Sequence, residues 1–185
     1  MRKGILIILA MITMIYYADK ANAAFLLEPY VGSQIASTYD IDGGADGDIS
    51  GTVIGAKIGF TQMGFNFGLN GQRASWNLDP ETGSDSDYTF TRLGAFVGYD
   101  TMLGIRLWGE YIFSFEGVND DDSDSKLTEG SGTCFGVGYK VIPFLSLNFE
   151  INNLATSKAE TSVLEYDSDR AYTSYVLSVS LPFSI

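Results

Sequence analysis

The chain has 185 residues, with 23 acidic and 11 basic side chains, no histidine and one cysteine. A net charge of −12 sets nucleic acid aside as a partner, because such a surface repels phosphate. The lone Cys134 has no partner for an internal disulfide, so stability must come from elsewhere.

The first segment reads as a secretion signal. Arg2 and Lys3 precede an apolar run from Gly4 to Tyr17, and Ala21-Asn22-Ala23 supplies an A-x-A cleavage site. Those 14 residues fall short of the roughly 20 that a helix needs to cross a bilayer. A signal peptide over 1–23 and one mature domain over 24–185 are expected. Losing Arg2, Lys3, Lys20 and Asp19 leaves 8 basic and 22 acidic residues, a net charge of −14.

From Leu27 onward apolar side chains recur with period two, the mark of strands with unlike faces. Leu27, Val31 and Ile35 oppose Glu28, Tyr30 and Gln34; Ile54, Ala56, Ile58 and Phe60 oppose Gly55, Lys57 and Gly59. Phe65, Phe67 and Leu69 oppose Asn66, Gly68 and Asn70, and Leu93, Ala95, Val97 and Tyr99 oppose Arg92, Gly94 and Gly98. Ile105, Leu107, Tyr111 and Phe113 alternate with Arg106, Trp108 and Glu110, and Phe135, Val137, Tyr139 and Val141 with Cys134, Gly136, Gly138 and Lys140. Leu145, Leu147, Phe149 and Ile151 oppose Ser146, Asn148, Glu150 and Asn152; Tyr175, Leu177, Val179, Leu181, Phe183 and Ile185 oppose Ser174, Val176, Ser178 and Ser180. Eight runs result.

The connections alternate in length. Short ones fall near Thr61–Met63, Asp100–Met102 and Ile142–Pro143; long ones near Thr38–Ser50, Asn77–Asp87, Glu116–Glu129 and Ala155–Arg170. The long ones hold 18 of the 22 acidic residues of the mature chain. Hydrocarbon excludes charge, so this sorting is expected of an eight-stranded antiparallel up-and-down transmembrane β-barrel, all-β, with short periplasmic turns and long outer loops.

Periodicity alone also fits a soluble barrel with its apolar face inward. Repeated aromatics on the apolar rows near the ends, among them Phe60, Phe65, Tyr99, Tyr111, Tyr139 and Phe183, favour the inverted arrangement, with interfacial girdles outside. The opposite rows carry Glu28, Lys57, Arg92, Arg106, Glu110, Lys140 and Glu150, both signs of charge among glycines. Eight strands enclose only enough space for side chains, so these seven are expected to pair across the lumen as a plug, each charge needing a partner. The competing reading places some of them at wet barrel ends.

The signal segment, the eight runs, Gly-aromatic strands such as Gly94–Tyr99 and a final strand ending the chain resemble the small outer-membrane barrels of the OmpA transmembrane-domain and OmpX type. That resemblance implies a bacterial outer-membrane location with outer-membrane lipid and lipopolysaccharide as surroundings. In that family the last strand usually ends in an aromatic residue; here Ile185 is last, with Phe183 on the same face. The chain is expected to lack the periplasmic peptidoglycan-binding domain that some members carry.

Enzymatic outer-membrane barrels of similar size depend on a histidine as base or essential partner, and this chain has none, so it is expected not to be an enzyme. In the loops, Asp46, Asp48 and Ser50 match the start of a calcium loop, and Asp120, Asp122 and Asp124 repeat its spacing. The twelfth position from Asp46 is Lys57 where that motif places glutamate, so no resident cofactor is expected; weak calcium or magnesium binding, bridging the loops to lipopolysaccharide phosphates, stands against a simply solvated acidic surface. The functional expectation is a structural, surface-interaction barrel displaying acidic loops to lipopolysaccharide, to envelope proteins or to foreign cell surfaces. An OmpW-like channel for small apolar molecules, and a soluble periplasmic ligand-binding barrel, are the alternatives.

Overall fold

The computed structural model describes residues 23–41, 46–80, 85–122, 124–161 and 164–185. The signal segment therefore lies, Ala23 apart, outside the described residues. Nine strands follow in chain order: β1 (Ala24–Ile41), β2 (Gly47–Gln62), β3 (Phe65–Pro80), β4 (Ser86–Asp100), β5 (Ile105–Asn119), β6 (Lys126–Ile142), β7 (Leu145–Glu160), β8 (Glu165–Ser180) and β9 (Phe183–Ser184). From β1 to β8 each strand pairs antiparallel with its neighbour in sequence, and β8 and β9 both close on β1. The short β9 continues the line of β8 past Pro182, so the wall has eight staves. Leu181 still donates its amide to Pro29, and Phe25 and Ile185 exchange both amides, so Pro182 does not stop the ladder.

Closure fixes the stagger. Partners traced around the wall run Phe25, Phe60, Phe67, Val97, Gly109, Phe135, Ile151, Tyr175 and back to β1 at Ile35, ten residues above the start. With the usual strand rise and spacing, that shear over eight strands sets a tilt of about 40°. The lumen then has room for side chains and nothing more.

Residue parity decides what faces where. Val31 is 58% exposed and Leu177 50%, whereas Lys57 is 4% exposed and Glu150 1%. Tyr111, Phe135, Val97 and Leu147 share the outward face with Val31 and Leu177. An apolar exterior around a charged interior is the reverse of a water-soluble barrel.

Two features differ from the sequence reading. The strands run well into the four segments taken as long loops: β1 and β2 reach Ile41 and Gly47, β5 and β6 reach Asn119 and Lys126. Charged side chains that point outward into water leave the ladder intact, so the staves continue beyond the apolar band. Secondly, β-bulges invert the parity on the loop side. In β1 the register slips between Ser33 and Ser37, Ala36 takes a φ of 46°, and Tyr39 turns inward. In β5 the slip between Leu93 and Gly94 of its partner sends Phe115 inward. Glu129, with a φ of 54°, sits where inward parity passes from Leu127 to Gly130 in β6. Bulges are the ordinary means of re-aiming side chains at barrel rims.

Candidate functional site

The lumen holds two tiers. On the turn side, charged residues from six strands meet. Arg106 on β5 reaches across to Glu28 on β1, donating from Nη1 and Nη2 at 2.6 and 2.7 Å. Ser180 adds a hydroxyl hydrogen bond to the same carboxylate at 2.6 Å. Lys57 on β2 lies 3.1 Å from Glu150 on β7, with its ammonium 3.9 Å from the Trp108 ring centroid. Arg92 on β4 lies 3.3 Å from Glu150 and 3.7 Å from Glu110, and donates to Asn152 at 2.6 Å. Asn70 donates to Glu110 at 2.8 Å, and the Tyr30 hydroxyl stands 3.0 Å from both Asn70 and Gln72.

Arg106 and Glu110 share a strand but serve different partners, Glu28 on one side and Arg92 on the other. Lys140 is the most open of the seven, its side chain 29% exposed at the turn-side mouth. There it pairs at 2.6 Å with Asp100, which also accepts from Arg106 Nε at 3.1 Å. Asp100 was not among the residues singled out from the sequence. With it, among the described residues, the turn-side tier carries four carboxylates (Glu28, Asp100, Glu110, Glu150) against four cations (Lys57, Arg92, Arg106, Lys140), a neutral set. The signal that would have found it is the single cation left over when three carboxylates are set against four bases.

Space for these long side chains comes from glycine. A Cβ on Gly94 would overlap the Glu110 carboxylate, and one on Gly136 would overlap the Trp108 indole.

The upper tier is apolar, and it lies beyond the charged rows read from the sequence. Trp76, Phe90, Phe115 and Tyr172 pack together, with ring centroids 4.3 Å apart for Trp76 and Phe90 and 4.9 Å for Phe90 and Phe115. Ile49, Leu78, Leu127 and Leu154 surround them. Where the tiers meet, between Gln72, Arg92, Asn152 and Ser174 on one side and Ala74, Trp76, Phe90, Phe115 and Leu154 on the other, the remaining space admits no water molecule.

The acidic loop residues behave differently. Asp46 and Asp48 stand beside Asp40 and Asp79 on an open hollow of about 560 Å³ at the loop end, and Ser50 is exposed on β2. Asp120, Asp122 and Asp124 lie in the β5–β6 turn, where Asn119 accepts the amides of Asp121 and Asp122, and Asp122 accepts that of Asp124. Among the described residues no three His, Cys, Asp or Glu side chains converge to hold a metal ion.

An up-and-down barrel of eight staves, apolar outside and charged inside, defines the small outer-membrane β-barrel class. The chain is similar in fold to Neisserial surface protein A, with a TM-score of 0.56 and 16% identity over 87% of this chain and 99% of that one. The attachment invasion locus protein of Yersinia pestis aligns with a TM-score of 0.47 and 13% identity, covering 87% of this chain and 98% of its own. The outer membrane protein OprG from Pseudomonas aeruginosa gives 0.48 and 12%, covering 88% and 97%. No family model matches, and no curated protein matches.

Proposed function

We propose that the protein is a closed, non-catalytic outer-membrane barrel whose work is done at the outer surface. The observation that carries this reading is the doubly sealed lumen: an ion-paired tier beneath an aromatic tier, with no room for water where they meet. A barrel filled in this way transmits nothing and serves as a rigid mount for what its staves extend into water. Those extensions are acidic, so they attract basic protein surfaces on the envelope or on foreign cells, and meet lipopolysaccharide phosphates only through bridging divalent cations. A channel for apolar molecules calls for an open apolar pocket; here the apolar side chains of the upper lumen fill it.

Planar bilayers containing the purified barrel test the reading. Silence at applied voltage supports it, and steady single-channel steps overturn it.

A further inference from the structure

The three short turns are chemically unlike the loop side. Met63, Leu103 and Phe144 are 88%, 79% and 55% exposed at their tips, and Met102 is fully exposed. No charged residue occurs in Thr61–Phe65, Thr101–Ile105 or Val141–Leu145. The charges that flank them, Asp100 and Lys140, are drawn into the mouth of the lumen and neutralise each other at 2.6 Å. Immediately above the tips the outer wall carries Phe60, Phe65, Tyr99 and Tyr139, with the Phe65 and Tyr99 rings 4.8 Å apart. Turns that stand in water use Asn, Asp, Ser and Gly at their tips, and long apolar side chains there gain nothing. Their surface is continuous with the lipid-facing wall.

We propose that this rim is seated in the interfacial layer of the inner phospholipid leaflet, with Met63, Met102, Leu103 and Phe144 at the boundary between headgroups and lipid chains and the Asp100–Lys140 pair closing the lumen mouth just above them, inside the wall and away from the lipid. The inference rests on the outer-membrane reading and adds the depth of the barrel: its periplasmic edge is a lipid-anchored surface. The occupant follows from continuity with the apolar wall and from uncharged, flexible side chains, which suit fluid acyl chains.

The test uses the mature barrel in phospholipid nanodiscs, where both faces meet solvent. Met102→Cys and Phe144→Cys, each in a Cys134→Ala background, carry an NBD label; Val137→Cys on the outer wall and Asp122→Cys on the loop side are references. Both substituted turn residues are exposed, so labelling leaves the packing undisturbed. The labels at 102 and 144 are expected to be quenched by doxyl lipid to at least half the extent seen at 137, and several-fold less by iodide than at 122. If they are as open to iodide as 122 while 137 stays protected, the rim stands in water and a protein partner becomes its occupant; the proposal is then overturned and the barrel reading stands. Iodide quenching at 137 as well would overturn both.

Discussion

Glu28 and Arg106 are separated by 78 positions in the chain and joined by two hydrogen bonds of 2.6 and 2.7 Å across the barrel. This pair links the first strand to the fifth, and Asp100 extends it to the turn-side mouth. Truncating one partner leaves a buried charge exposed to a low dielectric, whereas removing both leaves a packing defect alone. Arg106→Met is therefore expected to lower unfolding stability by about 3–5 kcal/mol, and Glu28→Met with Arg106→Met by clearly less than the two single losses summed. Urea titration of the refolded barrel, followed by tryptophan fluorescence, measures this. Additive losses would show that the pair is not coupled.

The two tiers seal independently, which sets the outcome of opening them. Trp76→Ala with Phe90→Ala removes the aromatic tier, and Arg92→Ser with Arg106→Ser loosens the ionic one. Each double variant is expected to remain silent in planar bilayers, and the combined variant to conduct. Conduction by either double variant would mean that only one tier closes the lumen.

Gly136 and Gly109 lie on neighbouring strands with opposite surroundings. A Cβ at Gly136 collides with the Trp108 ring over which Lys57 sits, while one at Gly109 meets nothing within 4 Å. Gly136→Ala is expected to cost about 1–3 kcal/mol by overpacking, and Gly109→Ala less than about 0.5 kcal/mol. Equal urea midpoints for the two variants would contradict the packing described.

Val179 pairs with Val31 and Leu147 on the outward face. Placing a guanidinium there puts it against hydrocarbon, so Val179→Arg is expected to lose about 2–4 kcal/mol, while Asp122→Arg on the loop side changes little. Refolding into lipid vesicles and titrating with urea measures both.

Much of the fold was legible in the sequence because the bilayer imposes one rule on every strand: outward rows such as Tyr175–Leu177–Val179 exclude charge, so alternation is clean where the wall meets lipid. The rule lapses above that band. There Asp48 and Glu116 face water without harm to the ladder, so strand residues read as loop. It also lapses at bulges, because counting by twos past Ala36 or Phe113 assigns Tyr39 and Phe115 to the wrong face; Trp76, Phe90 and Tyr172 keep the inward parity but lie beyond the apolar runs, so the tier they form with Phe115 is not visible in those runs. The charged residues of the lower tier were readable as inward because their parity is uninterrupted from the short turns. Their pairing was not, since Arg106 and Glu28 meet only through the ten-residue stagger of the closed wall.

The account turns on which face of each strand touches lipid. A nitroxide scan along β8 from Ser174 to Ser180 in lipid bilayers, reading collision with oxygen and with a water-soluble nickel chelate, tests it most directly. High oxygen contact at 175, 177 and 179, alternating with low contact for both agents at 174, 176 and 178, is the expected result. Oxygen contact peaking at 176 and 178, with 177 and 179 shielded, would contradict it.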